Sequence, residues 1–211
     1  MYIPYDWENH IESLRQLSED QQFSIMYSGG KDASLALSKT ITEGRLNSII
    51  HCADYSKKKS LFHNQSISIV EKHAQTLNVP IHYLDSEWWI KWNRLISKYS
   101  ELKKQGVTTI VFGDLNSREN IEMQYKLCMA VGLKACFPLY RIPYEELITE
   151  LEKRRIVSII TTINSSKISS QWLGKNFDRI AYNAFKKIAI DPFGENGEFH
   201  TTVISADYLE I

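Results

Sequence analysis

The chain of 211 residues carries 25 basic and 25 acidic side chains and therefore has no formal net charge. This balance does not favour a protein that wraps nucleic acid or lies on an acidic membrane, so such a partner would need a local patch. The length suffices to bury a core without disulfide support, in one large domain or two small ones. No stretch approaches the roughly 18 apolar residues of a membrane helix, and no secretory leader is recognisable, so we expect a cytoplasmic protein.

Helix-like and strand-like segments alternate along the first two thirds of the chain. An amphipathic helix is predicted first, from Trp7, Ile11, Leu14 and Leu17. Predicted strands follow at Phe23–Tyr27, Leu46–Ala53, Ile81–Leu84 and Val107–Phe112. Predicted helices between and after them carry apolar residues at Leu37 and Ile41, at Ile67, Val70, Ala74 and Leu77, at Trp88, Trp92, Leu95, Tyr99 and Leu102, and at Ile121, Tyr125 and Cys128. This alternation predicts a parallel sheet with helices on both faces.

The alternation loosens after residue 115. A short apolar piece at 136–139 is followed by a predicted helix near Tyr144–Leu151, a strand at Ile156–Thr162 and a helix around Phe177–Ala184. We therefore predict two domains, a Rossmann-like α/β domain at 1–115 and a smaller α+β domain at 116–211.

The segment Ser28–Ser34 has the composition of a phosphate-binding loop between a strand and a helix. Gly29 and Gly30 remove side chains where the backbone turns, so that consecutive N–H groups can face one anion at a helix N-terminus. Ser28 can add a hydroxyl donor, and Lys31 a mobile positive charge. Asp32 would repel phosphate and is a better ligand for magnesium. ATP with Mg²⁺ is therefore the first ligand to consider.

This loop is not the common P-loop, whose two glycine positions are separated by a four-residue spacer. The alternative is an ordinary strand-to-helix turn, which Ser-Gly-Gly alone would equally fit. The Lys-Asp pair directly after the glycines favours phosphate binding.

Other polar residues follow the ends of the predicted strands, where ligands bind in doubly wound sheets. Asp54 follows the second strand, and Gly113 and Asp114 follow the fourth. Asp114 is a candidate second carboxylate or magnesium ligand, with a helix N-cap as the alternative. The basic run at 57–59 is a loop in solvent or a cover over a phosphorylated ligand.

The segment Asp191–Thr202 is the second informative stretch. Two carboxylates three residues apart, Glu195 and Glu198, accompany the amide of Asn196 and the imidazole of His200. Such groups can position magnesium, bind an acceptor or move a proton near neutral pH. The alternative is a turn-rich loop with solvated carboxylates leading into a terminal strand.

Several motifs together resemble the diphthine ammonia ligase family of PP-loop ATP pyrophosphatases. They occur in the family's order and span nearly the whole chain, and the last is the most specific of them. They are Ser-Gly-Gly-Lys-Asp at 28–32, Leu-Phe-His at 61–63, Phe-Gly-Asp at 112–114, Phe-Pro-Leu-Tyr at 137–140, Trp-Leu-Gly at 172–174 and Gly-Glu-Asn-Gly-Glu-Phe-His-Thr at 194–201. The resemblance implies a Rossmann-like domain of the adenine nucleotide alpha hydrolase type, a family-specific C-terminal domain and an active site in the cleft between them.

Enzymes of this family adenylate a carboxylate with ATP, release pyrophosphate and form an amide with ammonia. The resemblance implies elongation factor 2 bearing diphthine as acceptor, and we expect a homodimer. The implied catalytic residues are Lys31, Asp32, Glu195, Glu198 and His200, with Asp32 as the metal ligand. The residues expected to contact ATP or the acceptor are Ser28, Gly29, Gly30, Lys31, Ser34, Asp54, His63, Gly113, Asp114 and Asn196.

The chain departs from the family pattern at a few positions. Ala33 stands where the family usually has serine, so Ser34 is expected to supply the missing hydroxyl. Tyr140 replaces a common tryptophan, and Phe193 replaces a small residue or cysteine; both changes concern packing. Two other functions stay open, namely a PP-loop enzyme acting on another carboxylate or a tRNA base, and a module that binds ATP or AMP without turnover.

Overall fold

The computed structural model describes residues 14–54, 57–60, 66–85 and 92–209. A larger sheet contains five parallel strands in the order β4 (Ile81–Leu84), β2 (Arg45–Asp54), β1 (Gln22–Met26), β5 (Thr109–Val111) and β6 (Lys134–Cys136). A short strand, β3 (Lys59–Ser60), pairs antiparallel with the end of β2. The predicted α/β class with a parallel sheet is confirmed.

Helices cover both faces of this sheet. Alternate residues of each strand point to opposite faces, so neighbouring residues belong to different core clusters. Val111 belongs to the core cluster beneath α1 (Lys31–Thr40) and α2 (Ser68–Thr76). Its neighbour Ile110 belongs to the cluster beneath α3 (Trp92–Lys104) and α4 (Arg118–Ala130). Within the described ranges, no helix has both the length and the apolar character needed to span a bilayer.

The C-terminal part adds a second, two-stranded sheet. This sheet is formed by β7 (Val157–Ile163) and β8 (Phe199–Ser205), which pair antiparallel. Two helices, α5 (Tyr144–Lys153) and α6 (Arg179–Lys187), belong to the same part of the chain. Its apolar residues join the core cluster of α1, so the two sheets pack against a common interior. The division into folding units at 115/116 stays a prediction, although β6 belongs to the larger sheet and lies beyond this boundary.

Several element boundaries differ from the sequence-based predictions. Helix α1 begins three residues before the predicted Ser34, because Gly30 already serves as its N-cap in an extended conformation. Leu17 lies outside any helix. Strands β3 and β6 were not predicted as strands, since segments of two and three residues carry too little alternation. Trp7, Ile11, Tyr55, Ser56, His63 and Trp88 lie outside the described residues.

Candidate active site

A cavity of about 600 Å³ opens where the strand order reverses, between β1 and β5. Its walls come from the loop after β1, the loop after β5, the start of α4 and the segment that leads into β8. Ligands of doubly wound sheets bind at this place, because the loops on either side leave a crevice there. We refer to it as the switch-point cavity.

The loop after β1 presents the N-terminus of α1 to this cavity. Gly29 has a φ of 83°, which a residue with a Cβ rarely adopts. Gly30 caps the helix without a side-chain hydrogen bond, and its own N–H donates to Ser28 Oγ at 3.2 Å. The helix therefore directs amides and the positive end of its dipole toward the cavity, as an anion site requires.

Strand β8 holds this loop from the C-terminal side. The Val203 amide donates to the Gly29 carbonyl at 2.9 Å, and the Lys31 amide donates to Thr201 Oγ1 at 3.0 Å. One of the helix-terminal amides is thus already bonded, which leaves fewer for a ligand. The role of Thr201 was not predicted, because the partner lies 170 residues away in the sequence.

Lys31 lies in an enclosed environment instead of projecting freely into the cavity. Its ammonium donates to the Phe193 carbonyl at 2.6 Å and to Asp32 Oδ2 at 2.8 Å. The same nitrogen lies 5.1 to 5.4 Å from the ring centres of Phe177, Phe193 and Phe199. Only 3% of the residue is exposed. Aromatic faces attract a cation at this range, so the lysine joins the phosphate loop to the C-terminal segment.

Three carboxylates, those of Asp32, Asp114 and Glu195, line the cavity. Burial raises the pKa of Asp32, and the Lys31 ammonium opposes this rise. Burial, with a smaller effect of the Asp32 charge, raises the pKa of Asp114 to about 6. Loss of water contacts and repulsion from Asp32 raise the pKa of Glu195 to about 8, although the residue as a whole is exposed. Neighbouring like charges disfavour ionisation, so this group of side chains would be stabilised by a cation.

The carboxylates suit a magnesium ion that binds together with a nucleotide. They do not form, with other described residues, a metal site made of protein ligands alone. Among the described residues, no group of three or more His, Cys, Asp or Glu side chains is arranged to hold a metal. Mg²⁺ commonly takes one or two protein carboxylates and completes its shell with water and substrate phosphates. Asp32 and Asp114 can provide that contribution.

The segment before β8 is fixed by its own hydrogen bonds. Asp191 Oδ1 accepts from the Phe193 amide at 2.8 Å, and Asp191 Oδ2 accepts from Tyr144 Oη at 2.8 Å. Glu198 is 3% exposed, and its Oε2 accepts from the Asn196 amide at 3.0 Å. The Asn196 carbonyl accepts from Lys167 Nζ at 2.8 Å. Glu198 and Asn196 therefore hold the turn, whereas Glu195 and His200 line the cavity.

His200 lies half-buried at the start of β8. Burial and the nearby Lys31 charge lower its pKa, and Asp32 opposes the shift. The imidazole is therefore neutral near pH 7 and available to accept a proton.

Two other predicted site residues contact protein groups. Ser34 is fully buried, and its hydroxyl lies 3.0 Å from Tyr27 Oη. Asp54 accepts from Lys57 Nζ at 2.7 Å and caps the turn after β2. The structure places neither side chain among the residues of the cavity wall.

Gly113 contributes by its lack of a side chain. A Cβ at this position would lie 2.9 Å from the Ala33 amide nitrogen and 3.0 Å from the Asp32 carbonyl carbon. The close approach of the β5 loop to α1 therefore requires glycine.

A buried polar cluster supports the phosphate loop from below. Tyr27 Oη lies 2.7 Å from His73 Nδ1, 3.0 Å from Ser34 Oγ and 3.0 Å from Tyr208 Oη. The cluster joins β1, α1, α2 and the C-terminal turn beneath the loop. Its residues carry no recognisable sequence motif, so only their proximity in space identifies them.

His51 is another residue that sequence spacing did not identify. It lines the cavity, its Nδ1 lies 2.7 Å from the Tyr27 carbonyl, and its Nε2 lies 2.9 Å from Ser60 Oγ. Burial lowers the pKa of His51, which keeps the ring neutral. The ring thereby joins the end of β2 to the residue preceding the phosphate loop.

Models of two domains of one family match most of the chain. A solved structure from Methanocaldococcus jannaschii, described as a predicted subunit of tRNA methyltransferase, aligns over 88% of this chain and 97% of its own at 14% identity, with a TM-score of 0.44. The curated proteins contain no match. The model of the diphthamide synthase N-terminal domain matches residues 21–135, and that of the diphthamide synthase C-terminal domain matches residues 143–210. The phosphate loop lies within the first match and the acidic segment before β8 within the second, and the chain belongs to the diphthamide synthase family.

Proposed function

We propose that the protein is an ATP-dependent ligase that adenylates a carboxylate and then forms an amide with ammonia. Membership of the diphthamide synthase family makes it an ATP-using enzyme of the PP-loop kind. The proposal of amide formation rests on one observation, namely that residues of the N-terminal match, 21–135, and of the C-terminal match, 143–210, line the same cavity. The N-terminus of α1, whose N-cap Gly30 makes no side-chain hydrogen bond, and the acidic segment before β8 enclose one cavity, so a nucleotide and an acceptor can meet there.

The phosphate loop would act on the leaving pyrophosphate. Attack of the acceptor carboxylate on the α-phosphorus breaks the bond to the β-phosphate, and negative charge grows on the leaving group. The dipole of α1, the Ser28 hydroxyl and the loop amides lie where they would stabilise that charge. Mg²⁺, when bound by Asp32 and Asp114, would neutralise part of the same charge.

Glu195 and His200 are the proposed proton acceptors for the amide-forming step. Ammonium must lose a proton before its nitrogen can attack the acyl carbon and displace AMP. Glu195 lies at the exposed side of the cavity, and His200 is held neutral. Burial contributes most to the raised pKa of Glu195, and the Asp32 charge adds to it; a cation bound beside Asp32 would offset that second contribution and favour ionisation of Glu195 once the nucleotide is in place.

The proposed acceptor is diphthine on elongation factor 2, as the family suggests, and the proposed compartment is the cytoplasm. Glu198 and Asn196 would shape the acceptor side indirectly, by holding the turn that carries Glu195. A homodimer stays a prediction.

The first test replaces Asp32 with asparagine. We expect Asp32→Asn to abolish magnesium-dependent release of AMP and pyrophosphate from ATP. The uncharged amide can neither offset the charge of the magnesium ion nor form the ion pair with Lys31. The measurement is product analysis after incubation with ATP, magnesium, ammonium and diphthine-bearing elongation factor 2. Asp20→Asn, at an exposed turn, is the control. Unchanged release by Asp32→Asn would remove this residue from the mechanism.

One observation favours a second candidate, a module that binds ATP without cleaving it. The Lys31 ammonium is enclosed by aromatic rings and a carbonyl, so it already has interaction partners before a nucleotide binds. The same incubation separates the two functions. Binding of ATP without any AMP, in the presence of the acceptor, would indicate the module.

A further inference from the structure

The switch-point cavity continues from the phosphate loop to the opposite face of the sheet. Its lining there includes Met26, Ile50, Cys52 and Phe112, which pack with the cluster beneath α3 and α4. We call the space they border the inner compartment. Apolar walls at the end of a cavity whose other end binds phosphate suit the flat ring of a nucleotide base.

Gln124 is the most buried of the polar side chains that the start of α4 contributes to the cavity wall. Ser117, Asn120 and Gln124 follow each other at helical spacing, and all three line the cavity. Asn120 is exposed, whereas Gln124 is only 7% exposed. Gln124 is therefore largely buried, and it borders the cavity.

The carboxamide of Gln124 is only partly satisfied. Its Oε1 accepts from Tyr99 Oη at 3.5 Å, which is a long hydrogen bond. Its Nε2 has no hydrogen-bond partner among the residues that the structure describes. This nitrogen is not among the buried atoms that lack a partner, so it is open to the cavity, where a ligand can accept its hydrogen bond.

Tyr99 fixes which end of the carboxamide is available. The tyrosine is fully buried, and burial raises its pKa well above the ordinary range, so it remains a hydroxyl donor. A donor beside Gln124 selects the carboxamide oxygen, which leaves the nitrogen for the cavity. Tyr99 belongs to the same core cluster as Ile50 and Phe112, and Cys52 packs against that cluster, so the tyrosine lies beside the inner compartment.

We propose that Gln124 is a specificity-determining residue for the nucleotide, and that its Nε2 donates a hydrogen bond to N1 of adenine in the inner compartment. This inference rests on the proposed ATP site. A donor held in one orientation favours a base edge that offers an unprotonated nitrogen. The corresponding edge of guanine carries hydrogen and would leave two donors opposed in a buried site, which is strongly disfavoured.

The test compares nucleotide affinities of Gln124→Met and the wild-type protein by calorimetry with magnesium. Methionine keeps the size of the side chain and removes the donor. We expect ATP to bind about tenfold more weakly, as the loss of one hydrogen bond in a buried site predicts, while inorganic tripolyphosphate binds unchanged. Gln75→Met, on an exposed face of α2, is the matched control.

Tyr99→Phe provides a second variant if Gln124→Met does not fold. It frees the carboxamide to turn over, so we expect the preference for ATP over GTP to narrow. Equal ATP affinity of wild type and Gln124→Met, or an equal loss for tripolyphosphate, would overturn the role of Gln124 and leave the proposed function intact. A wild-type protein that binds neither ATP nor tripolyphosphate would overturn both.

Discussion

Lys31 illustrates how far a residue's type can predict its role. A lysine after two glycines predicts a mobile charge for phosphate, and the structure instead encloses its ammonium among three rings and the Phe193 carbonyl. The rings come from residues 177, 193 and 199, far from the loop in sequence. The sequence therefore identified Lys31 as a residue of the phosphate loop, but it did not predict the aromatic rings that surround its ammonium.

Glu195 allows a prediction at the same scale, on the pH dependence of the reaction. Its pKa is raised to about 8, so protons compete with a bound cation below that pH. We expect kcat/KM for pyrophosphate release, measured without ammonium, to rise between pH 6 and 8 and then level off, because this parameter follows ionisations of the free enzyme.

In Glu195→Gln we expect kcat/KM for pyrophosphate release to lack the increase near pH 8, since glutamine does not ionise. The Asp114 carboxyl, with a pKa raised to about 6, would still give a rise at lower pH. Glu122→Gln, on the exposed side of α4, should keep the wild-type profile. An identical profile for Glu195→Gln would show that another group controls the reaction.

At the scale of elements, the approach of the β5 loop to α1 decides where the phosphate loop lies. A methyl group at Gly113 would lie 2.9 Å from the Ala33 amide nitrogen and would displace the start of α1. We expect Gly113→Ala to lower the free energy of unfolding by about 1–3 kcal/mol, as overpacking does, and to weaken ATP binding. Urea unfolding and calorimetry measure the two effects.

The control for this variant is Gly174→Ala. Gly174 has a φ of 78°, and a methyl group there would meet nothing within 4 Å. Its cost is therefore the backbone strain alone, about 1–2 kcal/mol, with no effect on ATP binding. ATP affinity that is unchanged in Gly113→Ala would contradict the steric role assigned to this glycine.

At the scale of the whole molecule, His73 connects pH to stability. It is 6% exposed and contacts Tyr27, and burial lowers its pKa from 6.5 to about 4. Between these values the unfolded chain binds a proton that the folded protein does not bind. The free energy of unfolding therefore falls as the pH drops through this window, by about 3 kcal/mol from this residue.

His73→Gln is the comparison, because glutamine can still accept from Tyr27 and does not titrate. We expect its free energy of unfolding to depend less steeply on pH between 6.5 and 4 than that of the wild type. Asp114 and Glu195 act in the opposite direction, since their raised pKa values favour the folded state at lower pH. The difference between the two proteins isolates His73, and parallel curves would contradict this assignment.

The sequence by itself determined the parallel sheet, the position of the phosphate loop and the family. These follow from local patterns, namely the alternation of apolar residues and the composition of short turns, which need no knowledge of distant contacts. Strand β4 at Ile81–Leu84 has the predicted bounds because both of its ends are marked by local signals.

Only the tertiary structure decided which polar side chains face the cavity. Ser34 and Glu198 look like site residues in sequence, yet one is bonded to Tyr27 and the other holds a turn. Gln124 belongs to no motif, and Thr201 ends the motif at 194–201 without a predicted role, yet both line the cavity. The direction of a side chain depends on how helices and strands pack across the whole chain, and no local spacing encodes that packing.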